Sequence, residues 1–537
     1  MQKTKRLTCF LFLVLLLVLA LAFTACGGGN DNDNDTNGTQ ADDQQAGQDD
    51  GQADITAPDD DDEEQDDAQE DFFEEDFTGE ATQLIADVLA ARTPVTITYA
   101  NWNIAEPMEM LMVEEFMYRY DFITVEIVYT ESGAHMENLQ ALSMAGNLPD
   151  VFAISRVPDM IASGFLRDIL PYGQQFDDWV HVPAISLSAV QHRGRVFAMP
   201  FSTHYQGFVV NDALWDANNL PRLEIGFSLE TLLHDLRVIT DIPNGIGGTT
   251  DWIQFARGWL PNYFDNSFGP HTWDGERLQL NHPAYIEAIN FTRQLREEGL
   301  VVSPGWLSEA EWDAFNAGWW FDVFSRGDMA SMIEGSWWIG TWTNLYRQGM
   351  DVRFVGLPGG TVALTPTYAG ISIQSENPAV AMHFLNWMAF GADGINHRID
   401  LRDYGRGYTN DYGDPITYPL GFLPPTVNPQ ILRRYFDGEI PGIEEAMLAN
   451  MHNAVIEGEA ILPGHVQALF GGNTGLTVVV DGELVENATV SQVVTSAIQG
   501  NLNFADYADA INDFANTQVA LMRDEINFML DMMGLTE

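Results

Sequence analysis

Apolar and polar positions alternate through Val95-Thr96-Ile97-Thr98-Tyr99, and the same period-two pattern returns at Val125, Ile127 and Tyr129. Each run predicts a strand with one buried face. Between them Met108, Leu111, Met112 and Phe116 recur at helical spacing behind Pro107, a residue that a first helical turn tolerates, so the pattern predicts an amphipathic helix over 107–120. A second helix is predicted over His135–Ala145, stopped by Gly146-Asn147 and Pro149, and the apolar run Val151–Ile154 reads as a third strand. Strand, helix, strand, helix, strand with short connections predicts parallel pairing in a doubly wound α/β sheet. Ligands of such sheets bind beyond the carboxyl ends of the strands. That rule points to Asn101-Trp102-Asn103 after the first strand and to Ser155-Arg156 after the third.

The later pattern is of the same kind. Tyr205–Val210 reads as a strand ending at Asn211, and Tyr285–Glu298 as a helix closed by Gly299. Arg326–Gly340 combines a short apolar strand with an aromatic loop. Ile371-Ser372-Ile373 is strand-like; Asn377 then caps and Pro378 opens a helix over Ala379–Phe390, ended by Gly391. Ala505–Leu530 is the clearest helix of the C-terminal part, and Thr477–Glu486 predicts a hairpin around Asp481-Gly482. No internal repeat is visible.

The first eighty residues follow no such pattern. Lys3, Lys5 and Arg6 precede an apolar run from Phe10 to Ala22, and small residues lead to Cys26. This is the layout of a secretory signal peptide, and the run is short for a membrane span. Phe23-Thr24-Ala25-Cys26 resembles the bacterial lipobox, with Phe23 where leucine is usual. The expectation is a leader over 1–25 and a lipidated Cys26 on the extracellular side of a bacterial cell membrane. From Asn30 to Glu80 there are 22 acidic residues and no basic one, so 26–80 reads as a disordered, self-repelling tether. The Asp59–Asp67 run lacks the spacing and turn glycine of a calcium loop and reads as solvated charge.

Charge and cysteine content narrow the function. The net charge is −54, which excludes direct binding to nucleic-acid phosphates. The two cysteines, Cys9 and Cys26, leave no disulfide, no CxxC pair and no cysteine zinc site. HExxH, GxSxG and a Walker loop are absent, lysine occurs only at Lys3 and Lys5, and the histidines show no paired ligand spacing. No catalytic residue, cofactor or metal site is expected. An acid pair for glycoside hydrolysis is defined in three dimensions and stays open on these grounds. The informative enrichment is aromatic: Trp252/Trp259, Trp312/Trp319/Trp320 and Trp337/Trp338/Trp342 cluster. Core packing accounts for most such residues, and the remainder suits a cleft in which flat rings meet sugar faces.

The segment ENLQALSMAGNLPDV, Glu137–Val151, resembles the signature of family 1 extracellular solute-binding proteins, the maltose-binding-protein-like sugar-capturing components of ABC importers. Val196–Pro200 followed by Gly207–Asn211 resembles the family's passage into its second lobe. Phe324–Met332 with Gly335-Ser336-Trp337-Trp338 resembles its G-x-x-A-M…G-x-W segment. Leu357–Gly360 and Gly370–Ile373 resemble the return to the first lobe, and Asn377–Ala389 the helix that follows. The similarity runs in order over residues 95–395.

The resemblance implies a type II periplasmic-binding-protein-like fold, two α/β lobes joined by hinge strands. It implies lobe 1 over 81–202 and 364–428, and lobe 2 over 203–363 and 429–537. By the same resemblance Asn101, Trp102, Asn103, Asp150, Ser155, His204, Tyr205, Trp337, Glu457, Glu459 and His465 are the ligand-contacting positions. Asp150 reads equally as a turn cap, and Trp102 and Trp337 as core. Thr474–Gln492 has no family counterpart and reads as a cleft cover or a peripheral insertion. The implied protein is a monomeric lipoprotein that captures a carbohydrate and delivers it to permease subunits. A surface glycoside-active enzyme and a ligand-loaded sensor for a receptor kinase are the alternatives.

Overall fold

The computed structural model describes residues 82–102, 107–130, 134–250, 252–303, 306–405, 420, 422–450, 454–456 and 458–535. The leader, Cys26, the tether, Asn103 and Glu457 lie outside the described residues. Strand β1 (Val95–Ala100) leads through helix α1 (Pro107–Arg119) to β2 (Ile123–Ile127) and through α2 (His135–Met144) to β3 (Val151–Ile154). Both β2 and β3 pair with β1 in parallel, as the short connections require. The second strand starts two residues before the predicted run. Ile123 and Val125 are its buried positions, while Tyr129 lies past the pairing and is 71% exposed.

Helices α3 (Val157–Ala162) and α4 (Ala184–Ser188) and the small hairpin β4 (Gln191–His192) and β5 (Arg195–Val196) lead to β6 (Met199–Asn211). At thirteen residues β6 is roughly 43 Å long, far beyond the predicted run. Its first part pairs antiparallel with β9 (Val362–Ile371), and its last part with β7 (Ser331–Gly335) and β8 (Val352–Gly356). The far end of β9 pairs with β3, and its beginning with β10 (Ala454–Ile456). One mixed eight-stranded sheet therefore runs through the whole molecule. Strands β6 and β9 are its middle and connect the half built on β1–β3 to the half built on β7, β8 and β10.

One core cluster runs from β1–β3 through the middle of the sheet to β7 and β8, and a second surrounds Trp252. Around β1, Tyr99 and Phe116 meet Phe384 of helix α5 (Pro378–Met388) edge-on, both at 5.1 Å. A buried ion pair joins Glu109 of α1 to Arg398 of helix α6 (Ala392–Gly405) at 2.6 Å. In the other half Phe208 of β6 packs on Trp252, which stacks on Phe291.

The C-terminal region, residues 429–537, packs on elements of both halves of the sheet. Helix α7 (Pro429–Phe436) packs on α6, and Arg402 of α6 donates to the carbonyls of Arg434 and Tyr435. The chain reaches β8 at Pro441, whose carbonyl accepts from Phe354 N at 3.0 Å, and α8 (Ile443–Asn450) then packs on that strand. The hairpin β11 (Val478–Val480) and β12 (Glu483–Val485) turns at Asp481-Gly482, both with positive φ, as the Asp-Gly signal predicts. It packs on helix α9 (Val490–Ile498), making Thr474–Gln492 a peripheral element. The last helix, α10 (Ala508–Met532), serves both halves. Asn512 and Asn516 accept from the backbone N–H groups of Leu280 and Leu278, both at 2.9 Å, while Ile526 and Leu530 enter the core shared with α3. Its twenty-five residues span roughly 38 Å, which explains how one helix reaches both. No helix of the described residues is long and apolar enough to cross a membrane.

Candidate ligand-binding cleft

Gln206 stands where β6 changes partners, opposite Ala363 of β9 on one side and Gly335 of β7 on the other. Both ends of its amide are fixed. Its Oε1 accepts from Trp259 Nε1 at 3.1 Å, and its Nε2 donates to Thr365 Oγ1 at 3.2 Å. It lines two adjoining cavities. One, of about 160 Å³, is bounded by Thr250, Phe255, Trp320, Glu334 and Trp337. The other, of about 340 Å³, is bounded by Arg257, Trp259, His271, Glu459, His465 and Phe470.

Trp337 is 47% exposed, and its indole folds back over Gly335, where an added Cβ would lie 2.3 Å from the ring. The glycine is therefore what lets the ring lie flat at the rim. Trp337 Nε1 donates to the Glu334 carboxylate at 3.1 Å, and the ring meets His204 edge-on at 5.4 Å. His204 Nδ1 lies 3.3 Å from Ser336 Oγ, and its ring approaches Phe422 at 6.3 Å. Ring, carboxylate, imidazole and amide thus present one apolar face with acceptors and donors beside it.

The larger cavity holds two buried imidazoles, His271 and His465, with ring centroids 5.6 Å apart. Burial holds both below the ordinary histidine range, His465 at about 4, so each is neutral at neutral pH. His271 and the following Thr272 both adopt positive φ, near 55° and 53°, which is strained for residues with a Cβ. Gly458 allows the close approach, since a Cβ there would lie 2.9 Å from the His271 ring. Arg257 donates to Ser491 at the start of α9 and lies over the Phe470 ring at 5.3 Å.

The expected residues separate into three groups. His204, Trp337, Glu459 and His465 border these cavities or adjoin their rim. Asn101, Trp102 and Ser155 follow the carboxyl ends of β1 and β3. Asn101 is buried and donates to Tyr99 Oη at 3.0 Å, while Trp102 stands edge-on to His135 at 5.1 Å. His135 Nε2 donates to the Ala153 carbonyl at 2.8 Å, so its Nδ1 accepts from Thr130, and burial keeps it neutral.

Asp150 and Tyr205 belong to neither group. Asp150 precedes β3 at its amino end, away from the carboxyl ends. Its Oδ2 accepts from Thr98 N and Thr98 Oγ1, both at 2.8 Å, and its Oδ1 from Ser375 Oγ at 2.5 Å. This carboxylate clamps β1 and β3 to the segment after β9, with its oxygens already engaged. Tyr205 is fully buried and packs against Phe354 on the face of β6 opposite Gln206. Sequence reasoning missed Gln206, Arg257, Trp259 and His271. Period-two alternation puts Gln206 on the same face as His204, and that signal was available. Nothing local marks Arg257 or His271, which are brought in by tertiary packing.

The bacterial extracellular solute-binding protein family matches residues 111–407. No curated protein matches the chain. Among solved structures, the sugar-binding protein MalE from Xanthomonas citri is similar at a TM-score of 0.61 and 14% identity, over 80% of this chain and 98% of that one. The substrate-binding protein Lmo0181 from Listeria monocytogenes, in complex with cycloalternan, is similar at 0.54 and 16%, over 82% and 99%. The cyclic alpha-maltosyl-1,6-maltose binding protein from Arthrobacter globiformis is similar at 0.55 and 16%, over 79% and 99%. These likenesses show the two-lobed fold, and the family match spans more than half of the sequence: the chain belongs to the bacterial extracellular solute-binding proteins.

Proposed function

We propose that the protein captures a carbohydrate, most simply an oligosaccharide, in the cleft beside Gln206 and delivers it to the permease of an ABC importer. The observation that carries this is the Trp337 shelf. A half-exposed indole is held flat by Gly335, with Glu334, His204 and Gln206 around it. A ring of that kind matches the apolar face of a pyranose, and the polar groups match its hydroxyls. Binding proteins solved with maltotetraose and cycloalternan, and a cyclic alpha-maltosyl-1,6-maltose binding protein, share the fold. Asn101, Trp102 and Ser155 form the opposing wall in this reading, and Glu459 and His465 close its end; Asn103 and Glu457 keep the ligand-contacting role that the resemblance implies.

The mechanism is capture. Ligand selects a closed arrangement of the lobes about β6 and β9, and the closed form fits the permease. Cleavage after residue 25 and lipidation of Cys26 hold the protein at the outer face of the membrane, and residues 26–80 set its reach. A ligand screen of the purified chain tests the proposal. Melting temperature and tryptophan fluorescence are followed across neutral oligosaccharides, and each mixture is checked for new products. A ligand at about 100 times its dissociation constant should add roughly 2.7 kcal/mol of stability. A shift with intact sugar supports capture, cleavage would make the protein an enzyme, and no shift with any sugar would remove the carbohydrate assignment.

A further inference from the structure

A further cavity has a volume of about 820 Å³. It lies beyond the wall formed by Pro270 and helix α11 (Gly458–Ile461), and Pro270 lines both it and the 340 Å³ cavity. One side comes from α4 and β4, the other from residues 262–275, and the end of α10 closes it. Helix α4 sits on the sheet face away from Gln206, because Tyr368 Oη donates to its Ser186 carbonyl while Thr365, three residues earlier on β9, faces Gln206. The volume falls within the range of small-molecule sites, roughly 300–1,000 Å³.

Its chemistry is unlike that of the rest of the chain. In a protein of net charge −54, no carboxylate among the described residues lines this cavity. Gln191 and Asn266 present side-chain amides from opposite walls, Asn527 adds a third, and Trp273 and Phe268 supply rings. Asn527 Oδ1 accepts from Arg193 at 3.2 Å, which leaves its NH₂ group to donate. His192 is held at about 4 by burial and is therefore a neutral donor and acceptor. The lone charge among the described lining residues, Arg523, donates to the Glu276 carbonyl at 2.9 Å and lies 3.9 Å from that residue's carboxylate, so it is already balanced. Neutral amides, a neutral imidazole and aromatic faces without net charge select an uncharged, polyhydroxylated ligand.

We infer that this cavity is a second saccharide site, distinct from the Gln206 cleft and coupled to it through the strained segment Pro270–Thr272. That segment carries Pro270 on the shared wall and His271 into the other cavity, so occupancy of either site bears on the same backbone.

Titration calorimetry on the full chain tests this, with neutral tri- and tetrasaccharides of the malto, cello and xylo series as probes. Three proteins are compared: wild type, Trp337→Ala, and Gln191→Ala with Asn266→Ala. The exposed amides of Gln191 and Asn266 make no hydrogen bond to described residues, so their removal leaves the fold intact. The expected result is two saccharide-binding events in wild type, one weakened in Trp337→Ala and the other weakened by about tenfold or more in the double variant. Binding lost entirely in Trp337→Ala and unchanged in the double variant would overturn the second site while supporting the first. Binding unaffected by Trp337→Ala and lost in the double variant would support the second site and overturn the capture cleft. No saccharide binding by wild type would overturn both.

Discussion

Two carboxylate-bearing corners of this protein look alike in sequence and behave differently in three dimensions. Asp150 ends the Leu148-Pro149-Asp150 signature, and Glu334 precedes the Gly335-Ser336-Trp337 signature. Asp150 takes three hydrogen bonds from Thr98 and Ser375, all within its own lobe. Glu334 takes Trp337 Nε1 and stands beside a half-exposed ring at an open cavity. The first corner spends its chemistry on holding strands together, and the second keeps it facing outward. A family signature therefore reports where the chain is constrained, and constraint arises from folding as readily as from binding.

The sharpest way to break that comparison is to remove Asp150. Asp150→Ala leaves Thr98 and Ser375 without their acceptor and should cost about 3 kcal/mol, since hydrogen bonds to a charged group contribute about 1.5–3 kcal/mol each and partly compensate when lost together. Urea unfolding measures this. The folded fraction should bind ligand as wild type does, and a loss of affinity without loss of stability would return Asp150 to the cleft.

Trp337→Ala should do the reverse. Losing a central aromatic anchor costs about 2 kcal/mol of binding, roughly thirtyfold in dissociation constant. The ring is half exposed, so the unfolding midpoint should barely move. A large drop in stability with affinity intact would make Trp337 a packing residue.

The contrast also shows what was legible. The β1–α1–β2–α2–β3 half follows from local period and turn residues, and the structure reproduces it within a few residues. The Asp481-Gly482 hairpin and the proline start of α5 were equally readable, although Asn377 makes no side-chain capping bond. The length of β6 was not: the predicted run starts at Tyr205, and the part it misses, Met199–His204, contains Pro200, a residue that argues against a strand interior. Gly207, inside the predicted run, is required by the close approach of β8, where a Cβ would lie 2.6 Å from the Phe354 ring. The split loyalty of α10 was also hidden: its apolar positions show an amphipathic helix, but not that its two ends meet different lobes. In the cleft, alternation separates His204 and Gln206 from Tyr205, yet no local pattern carries Arg257 and His271 to the same cavity.

A third test uses pH. His465 has an ordinary value near 6.5 when unfolded and about 4 when folded, chiefly through burial, with Arg156 and Arg257 adding repulsion. A depressed histidine contributes stability that is fully present above the unfolded value and is lost as pH falls from about 6.5 toward 4. His192 and His383 are depressed by burial in the same direction. Asp159 opposes them: burial raises it to about 6, so its contribution favours the folded state at low pH and is lost as pH rises from about 4 to 6. Between pH 7 and pH 5 the histidines should dominate. His465→Gln should then remove about 1.5 kcal/mol of the acid-induced loss, read from urea midpoints at the two pH values. An unchanged difference would show that His465 is hydrated and outside the buried end of the cleft.

The smallest effect is the most discriminating. Gly335 has φ −98° and ψ 162°, an extended conformation open to any residue, so nothing in its backbone demands glycine. The three atoms nearest to a Cβ there all belong to the Trp337 indole. Gly335→Ala should therefore fold normally and displace the ring, with a loss of about 1 kcal/mol in ligand binding. The same change made in Trp337→Ala should cost nothing further, because the obstructed ring is gone. That non-additivity, measured as a double-mutant cycle on affinity, isolates ring placement from any general effect at the strand end. Equal losses in both backgrounds would mean that Gly335 acts on β7 and not on the indole. The G-x-W signature would then record strand packing, as the signature at Asp150 does.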